Sequence, residues 1–396
     1  MPLTGIKVLD LSRVLAGPWC AQTLADLGAD VWKVEEPGRG DDTRSWMPPE
    51  IDGESTYYMS ANRTKRSIAI DLKHPEGQRI VREMALKADV LVENYKKGTL
   101  ERFGLGYEQL SALNPRLVYC SISGYGRTGP RADEPGYDFA IQAESGLMSI
   151  TGEPHGAPMK HGMAITDLVT GMNAAQAVLA ALLARARTGK GQLIDMALLD
   201  CAVALLANMA SGHIVTGAEP PRLGNAHPTV VPYQVFETSD GDFVLAVGND
   251  SQFRALCEKV VDRPDLCVDE RFATARGRVI NRDALIPELI AAFRTRPTAH
   301  WIAALQREKV PCGQVRNLTQ VFASPEIAAR RMVAEAQDER HGTVKLMCSP
   351  LALRGTPPRE PVAPPRLAEH TDALLHEVLG LDDAAIAALR ATRAVS

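Results

Sequence analysis

IKVLDLSRVLAGPWCAQTLADLGADVWKV (Ile6–Val34) holds the pattern from which the rest of the chain is read. Ile6–Leu11 is an apolar run of strand length, and Val31–Val34 is a second. Between them, Pro18 to Leu27 reads as a helix. Pro18 stands at its start, where a missing N–H costs no hydrogen bond, and Gly28 follows its end. The rhythm continues downstream. Ile68–Leu72 reads as a third strand and Pro75–Lys87 as a helix. Val90–Glu93 and Leu117–Ile122 add two more strands with a helical segment between them. Repeated strand–helix–strand units predict an α/β fold, a mostly parallel sheet covered by helices.

Further along, Leu168–Arg187 reads as a long helix, stopped by Thr188-Gly189-Lys190-Gly191. Asp195 to Ala210 is apolar and reads as helix again. The Pro/Gly-rich stretch 217–232 reads as a linker. Phe243–Val247 is then a strand, Gln252–Val261 a helix, and more helix runs to Leu305. These predict a large N-terminal domain over 1–216 and a smaller α+β domain over 233–321. A C-terminal segment, 322–396, carries a strand at Thr343–Met347, a proline-rich passage at 357–365 and a helical pair at Thr371–Leu379 and Asp382–Thr392.

Hydrophobic content of 45% and charged content of 23% are ordinary for a globular protein, and a net charge of -4 argues against a nucleic-acid partner. Seven cysteines with no C-x-x-C pair fit neither a disulfide framework nor a zinc site, and favour a reducing compartment. The apolar run Ala174–Ala184 is shorter than the ~18 residues of a membrane span and reads as a buried helix. No secretory or transit segment is recognised, so the expectation is a cytoplasmic protein without a membrane partner.

The turn after the first strand is Arg13-Val14-Leu15-Ala16-Gly17-Pro18 and lacks the glycine fingerprint of dinucleotide sites. There is no P-loop, no H-E-x-x-H and no G-x-S-x-G, and nine histidines lie without metal-ligand spacing. No metal or resident cofactor is expected. Asp167 is the most suggestive acid. At the mouth of a long Ala-rich helix, its anion gains roughly 0.3–1 kcal/mol from the helix dipole. An ionised carboxylate is a nucleophile. It is also a helix cap, a role that Thr166 could fill equally.

Several blocks, in order, resemble the family III (CaiB/BaiF) CoA-transferases. They are LDLSRVLAGPWCAQTLADLGADVWKVEEPGRGDDTR (Leu9–Arg44), NRTKRSIAIDLKHPEG (Asn62–Gly77), VENYKKGTLERFGLGYEQL (Val92–Leu110) and NPRLVYCSISGYGRTGP (Asn114–Pro130). AITDLVTGMNAAQAVLAALLARARTGKGQLIDMALLD (Ala164–Asp200), VPCGQVRNL (Val310–Leu318) and HTDALLHEVLGL (His370–Leu381) complete the set. The resemblance implies a Rossmann-like large domain built from both chain ends, a small middle domain and an interlocked homodimer. It implies Asp167 as the nucleophile that carries acyl and then CoA, with CoA thioesters and carboxylic acids as substrates. By position it puts Val14, Leu15 and Ala16 near the thioester. Ile70, Asp71, Leu72, Lys73, Asn94, Tyr95 and Lys96 would line the CoA, with Arg102 on its phosphates. Tyr137 and Asp138 would lie beside the nucleophile.

The departures narrow the activity. Formyl-CoA transferases of this family carry glutamine where Leu15 stands, and a cation where Glu36 stands. The racemase branch carries histidine in a G-H-D motif where this chain has Gly136-Tyr137-Asp138, so racemization, the alternative activity, lacks its base. RLGNAHPTVVPYQVF (Arg222–Phe236) resembles the branch acting on succinyl-CoA and short dicarboxylates such as glutarate, hydroxymethylglutarate or itaconate. Arg222, His227 and Gln234 are the candidates for a distal carboxylate.

Overall fold

The computed structural model describes residues 1–396 and contains two compact units. Met1–Leu147, Lys160–Gly217 and Glu326–Ser396 form the first; Met148–Met159 and Ala218–Pro325 form the second.

The first unit is built on β1 (Lys7–Asp10), α1 (Ala16–Asp26), β2 (Asp30–Glu35), β3 (Arg66–Ala69), α2 (Pro75–Lys87), β4 (Val90–Glu93) and β5 (Val118–Ser123). After these come α3 (Asp138–Glu144), α4 (Ile165–Thr188), β6 (Leu193–Ala197) and α5 (Leu198–Leu205). The six strands lie in the order β3-β2-β1-β4-β5-β6, and every pair is parallel. The chain starts mid-sheet, winds outward to β3 and then crosses back to β4. Strand order therefore reverses between β1 and β4, and an open crevice forms there beyond the carboxyl ends of the strands.

Apolar runs specify this sheet because both of its faces are covered. Val8, Leu9, Val90, Leu91, Val92 and Val118 are fully buried. Leu9, Trp32, Ile68 and Leu91 pack with Ile80 and Met84 of α2 on one face, together with Leu374, Ile386 and Val395 from the C-terminal segment. Val8, Val31, Val90 and Val118 pack against α1 and α4 on the other.

Several boundaries differ from the sequence reading. α1 starts at Ala16, and Pro18 still falls in the first turn, where no N–H partner is lost. β3 ends at Ala69 because Ile70 turns away to bridge Val395. The stretch from Asp195, expected to be helical, opens inside strand β6, which pairs with β5 in the register Tyr119↔Leu193. A short apolar run continuous with a helix carries no period that separates the two. Thr343–Met347, expected as a lone strand, is half of an antiparallel hairpin with Val333–Asp338. α4, with 24 residues, has the length and hydropathy of a membrane span. Its buried row of Thr166, Thr170, Gly171, Ala174, Ala175, Val178 and Ala181 includes core members that pack with α1.

The second unit centres on an antiparallel sheet in which Asp242–Ala246 lies between Tyr233–Glu237 and Cys312–Gln314. Phe236, Phe243, Phe293 and Trp301 stack edge to face in its core. Residues 217–232 hold no helix or strand.

Candidate active site

The β1–α1 turn sits at the switch point, and a buried charge network holds it from below. Lys33 Nζ donates to Ser12 O (3.0 Å) and to Asp41 Oδ2 (2.9 Å). Asp41 Oδ1 accepts from Val14 N (3.2 Å) and from Thr43 N (3.0 Å). Lys65 Nζ donates to Asp10 Oδ2 (2.9 Å), Pro18 O (3.0 Å) and Asn62 Oδ1 (2.9 Å). Glu35 accepts a two-pronged guanidinium from Arg44, at 2.8 Å on each oxygen. Across the switch point Asn94 clips the turn twice, accepting from Arg13 N (2.9 Å) and donating to Arg13 O (2.7 Å). Held this way, Val14 adopts φ +70°, a conformation that costs a β-branched residue about 1–3 kcal/mol.

Two adjoining clefts open over this turn. One, of about 260 Å³, is lined by Arg13, Glu36, Arg39, Ile70, Asp71, Leu72, Lys73, Tyr95 and Phe103, among others. The other, of about 230 Å³, is lined by Val14, Leu15, Ala16, Asn94, Tyr95, Lys96, Tyr137 and Asp167, among others. Arg13 and Tyr95 line both, and the Arg13 guanidinium lies 5.1 Å from the Tyr95 ring centroid. Close backbone approach shapes the second cleft. A Cβ on Gly124 would meet Gly136 Cα at 2.5 Å, and one on Gly171 would meet Ala16 O at 2.6 Å. Only glycine at 171 lets α4 approach α1 so closely, one turn along from Asp167.

Asp167 is half-buried in the first turn of α4. Neither it nor Thr166 is the cap: the N-cap position is Ala164, whose methyl offers no acceptor. The cap comes from α3. Asp138 Oδ1 accepts from Thr166 N (2.8 Å), Thr166 Oγ1 (2.6 Å) and Asp167 N (3.4 Å). Its Oδ2 accepts from Gln142 Nε2 (2.7 Å). A carboxylate at a helix N-terminus satisfies orphan N–H groups and opposes the dipole. Here it also sets one acid against another. Burial, and secondarily the Asp138 charge, push the Asp167 carboxyl up to about 7. An acid so placed ionises near neutrality, and its anion is more basic and poorly solvated. Those are the properties of a carboxylate poised to attack a carbonyl.

The family model for CoA-transferase family III matches residues 3–371. The chain belongs to that family. This family III CoA-transferase is 45% identical over 388 residues to the succinate–glutarate CoA-transferase of Agrobacterium fabrum, covering 95% of this chain and 96% of that one. It is 44% identical over 388 residues to the succinyl-CoA:glutarate CoA-transferase of Homo sapiens, covering 98% and 88% respectively. A solved CaiB/BaiF family protein from Brucella suis superposes with a TM-score of 0.85 at 44% identity, over 96% of this chain and 99% of that one.

Within the transferase, the residues expected to surround CoA and nucleophile fall into three groups. Ile70, Asp71, Leu72 and Lys73 line the first cleft; Val14, Leu15, Ala16, Asn94, Lys96, Tyr137 and Asp167 line the second; Tyr95 lines both. Arg102 lines neither: it is exposed on the helical turn Thr99–Arg102, whose neighbours Thr99 and Phe103 do line the first cleft. Asp138 lines neither cleft, and its oxygens are taken up by α4 and Gln142. Arg222, His227 and Gln234 belong to the second unit. There the Arg222 guanidinium donates through Nη1 to Ser149 O (3.3 Å) and through Nη2 to Gly156 O (2.8 Å), and its Nε is buried without a partner. His227 Nδ1 accepts from Thr229 N (3.1 Å). Gln234 lies in the strand Tyr233–Glu237.

Two residues of the first unit went unremarked in the sequence. Arg13 stands at the junction of the clefts with its Nε buried and unpartnered. Burial, with the Asp167 and Asp138 charges, pushes the Tyr57 hydroxyl up to about 12. Arg13 was findable from its place in the first βα turn. Tyr57 follows a two-residue hairpin and carries no pattern of its own.

Proposed function

We propose that this enzyme moves CoA from succinyl-CoA to a short dicarboxylate, with Asp167 as the covalent carrier. The Asp167 carboxylate attacks the donor thioester carbonyl, giving a mixed anhydride and CoA thiolate. The thiolate attacks the aspartyl carbonyl, releases succinate and leaves an aspartyl-CoA thioester. The acceptor carboxylate attacks that thioester, freeing the thiolate and forming a second anhydride. The thiolate then attacks the acceptor carbonyl, and Asp167 departs as a free carboxylate. No proton is gained or lost overall, and thioester energy is conserved provided water is kept out.

The single observation that carries this reading is the position of Asp167. It stands on the wall of the second cleft, in an acid pair with no cation on it, beside the turn Val14–Ala16. The adjoining cleft, with Arg39 and Lys73 at its wall, suits the phosphate-bearing end of CoA. A dicarboxylate acceptor is supported by the relatives that carry glutarate in their names. Itaconate and hydroxymethylglutarate are further acceptors of the same class, and a homodimer is the assembly this reading includes.

The test supplies succinyl-CoA with glutarate, itaconate, hydroxymethylglutarate and monocarboxylates of matched length, and follows new thioesters by mass spectrometry. The dicarboxylates are expected to be converted at least tenfold faster. Equal rates for the monocarboxylates would remove the distal carboxylate from the account.

A further inference from the structure

The segment 94–103 lines both clefts: Asn94, Tyr95, Lys96 and Lys97 face the second, and Tyr95, Thr99 and Phe103 face the first. Besides the two Asn94–Arg13 bonds and the buried Leu100, one side chain outside the segment ties it to the sheet. Arg127, in the loop after β5, donates through Nη1 to Glu93 Oε1 (3.3 Å) and Ser121 Oγ (2.9 Å), and through Nη2 to Glu101. Its backbone N–H donates to both oxygens of Asp195, at 3.0 and 3.1 Å. Glu93 ends β4, Ser121 lies in β5 and Asp195 in β6, so three neighbouring strands meet at this one residue. The other oxygen of Glu93 accepts from Tyr95 N (2.7 Å), which fixes the first bend of the segment.

We infer that Arg127 is a positioning residue for the acyl-CoA: it fixes the segment 94–103 at both ends, through Glu93 and Glu101, and so sets the shared wall of the two clefts. The chemistry suits the task. A planar guanidinium spans two carboxylates at once, which the point charge of lysine does not. The Glu93 side chain is almost wholly buried; burial pushes its carboxyl up to about 7, and the Ser121 hydroxyl, the Tyr95 N–H and the Arg127 charge oppose that shift. Arg127 itself lines neither cleft, so it acts through the segment rather than by touching substrate. The inference rests on the reading of the clefts as the CoA site.

Arg127→Met, Arg127→Lys and Glu101→Gln are compared with wild type as full-length enzyme. The readouts are Kd for free CoA by calorimetry, KM for succinyl-CoA, the single-turnover acylation rate at saturating succinyl-CoA, and the thermal midpoint. Arg127→Met is expected to raise Kd and KM at least tenfold while the saturated acylation rate changes less than threefold. Glu101→Gln, which keeps the bond to Glu93, is expected to raise KM about threefold. Wild-type Kd and KM in a folded Arg127→Met, or a fall in rate without a change in KM, overturns the inference. Should Arg127→Met not fold, Arg127→Lys decides: a KM raised threefold or more supports the clasp, and an unchanged KM overturns it. A wild-type protein that binds no CoA would instead sink the cleft reading on which the clasp depends.

Discussion

Asp41 is buried and Asp167 half-buried in the same unit, and they titrate far apart. Burial alone raises each. At Asp41 the Lys33 ammonium, with the Thr43 N–H and hydroxyl, reverses that and holds the carboxyl at about 2. At Asp167 no cation answers the burial, the second acid Asp138 adds to it, and the carboxyl stays up at about 7. Beneath the β1–α1 turn each charge has its partner: Asp10 with Lys65, Asp41 with Lys33, Glu35 with Arg44. Such a network is a scaffold, rigid and inert. The acid pair above it is left uncompensated, and an uncompensated group is the one able to react. The fold thus places a saturated cluster under an unsaturated one and uses the first to fix the walls of the second.

The largest expected effect comes from breaking the saturated side. Lys65→Met strands Asp10 without its ion pair in a fully buried site, and should cost about 3–5 kcal/mol in chemical denaturation. A cost below about 1 kcal/mol would mean the network is hydrated and the contrast false.

The unsaturated side should respond with the opposite sign. Between about pH 4 and 7 the unfolded chain has lost the Asp167 proton while the folded chain keeps it, so this group's contribution to stability falls as pH rises through that window. Asp167→Asn should therefore stabilise the fold by on the order of 1–3 kcal/mol at pH 8 and by nothing near pH 3, while abolishing transfer. Thermal midpoints at the two pH values check this.

A smaller effect separates the two causes of the raised pKa. Asp138→Asn keeps an oxygen acceptor for Thr166 N but removes the charge. Since only ionised Asp167 attacks, the wild-type rate should fall below about pH 7. In Asp138→Asn the acid limb of kcat against pH should move lower by roughly one unit, about 1.4 kcal/mol. A limb that does not move would leave burial as the sole cause.

The sheet was legible because both of its faces are covered, so its strands are short apolar runs set apart by helices with Pro or Gly at their ends. β6 escaped because its apolar residues run without a break into α5. Asp167 was visible through the helix it opens. The family resemblance put Asp138 beside it, but the capping role was not legible, because Asp138 comes from another helix. Nothing local to Lys33, Lys65 and Asp41 reports that they are buried. The backbone bonds of Arg222 to Ser149 O and Gly156 O were not legible, because no local pattern reports which carbonyls a distant guanidinium meets.

The central claim is that Asp167 is acylated and then carries CoA in every cycle. It is tested most directly by quenching the enzyme in mid-turnover with hydroxylamine and weighing the peptide that spans Ala164–Asp200. A hydroxamate at Asp167, appearing only with succinyl-CoA and absent from Asp167→Asn, is the predicted result. An unmodified Asp167 while CoA exchange proceeds at its full rate would contradict it.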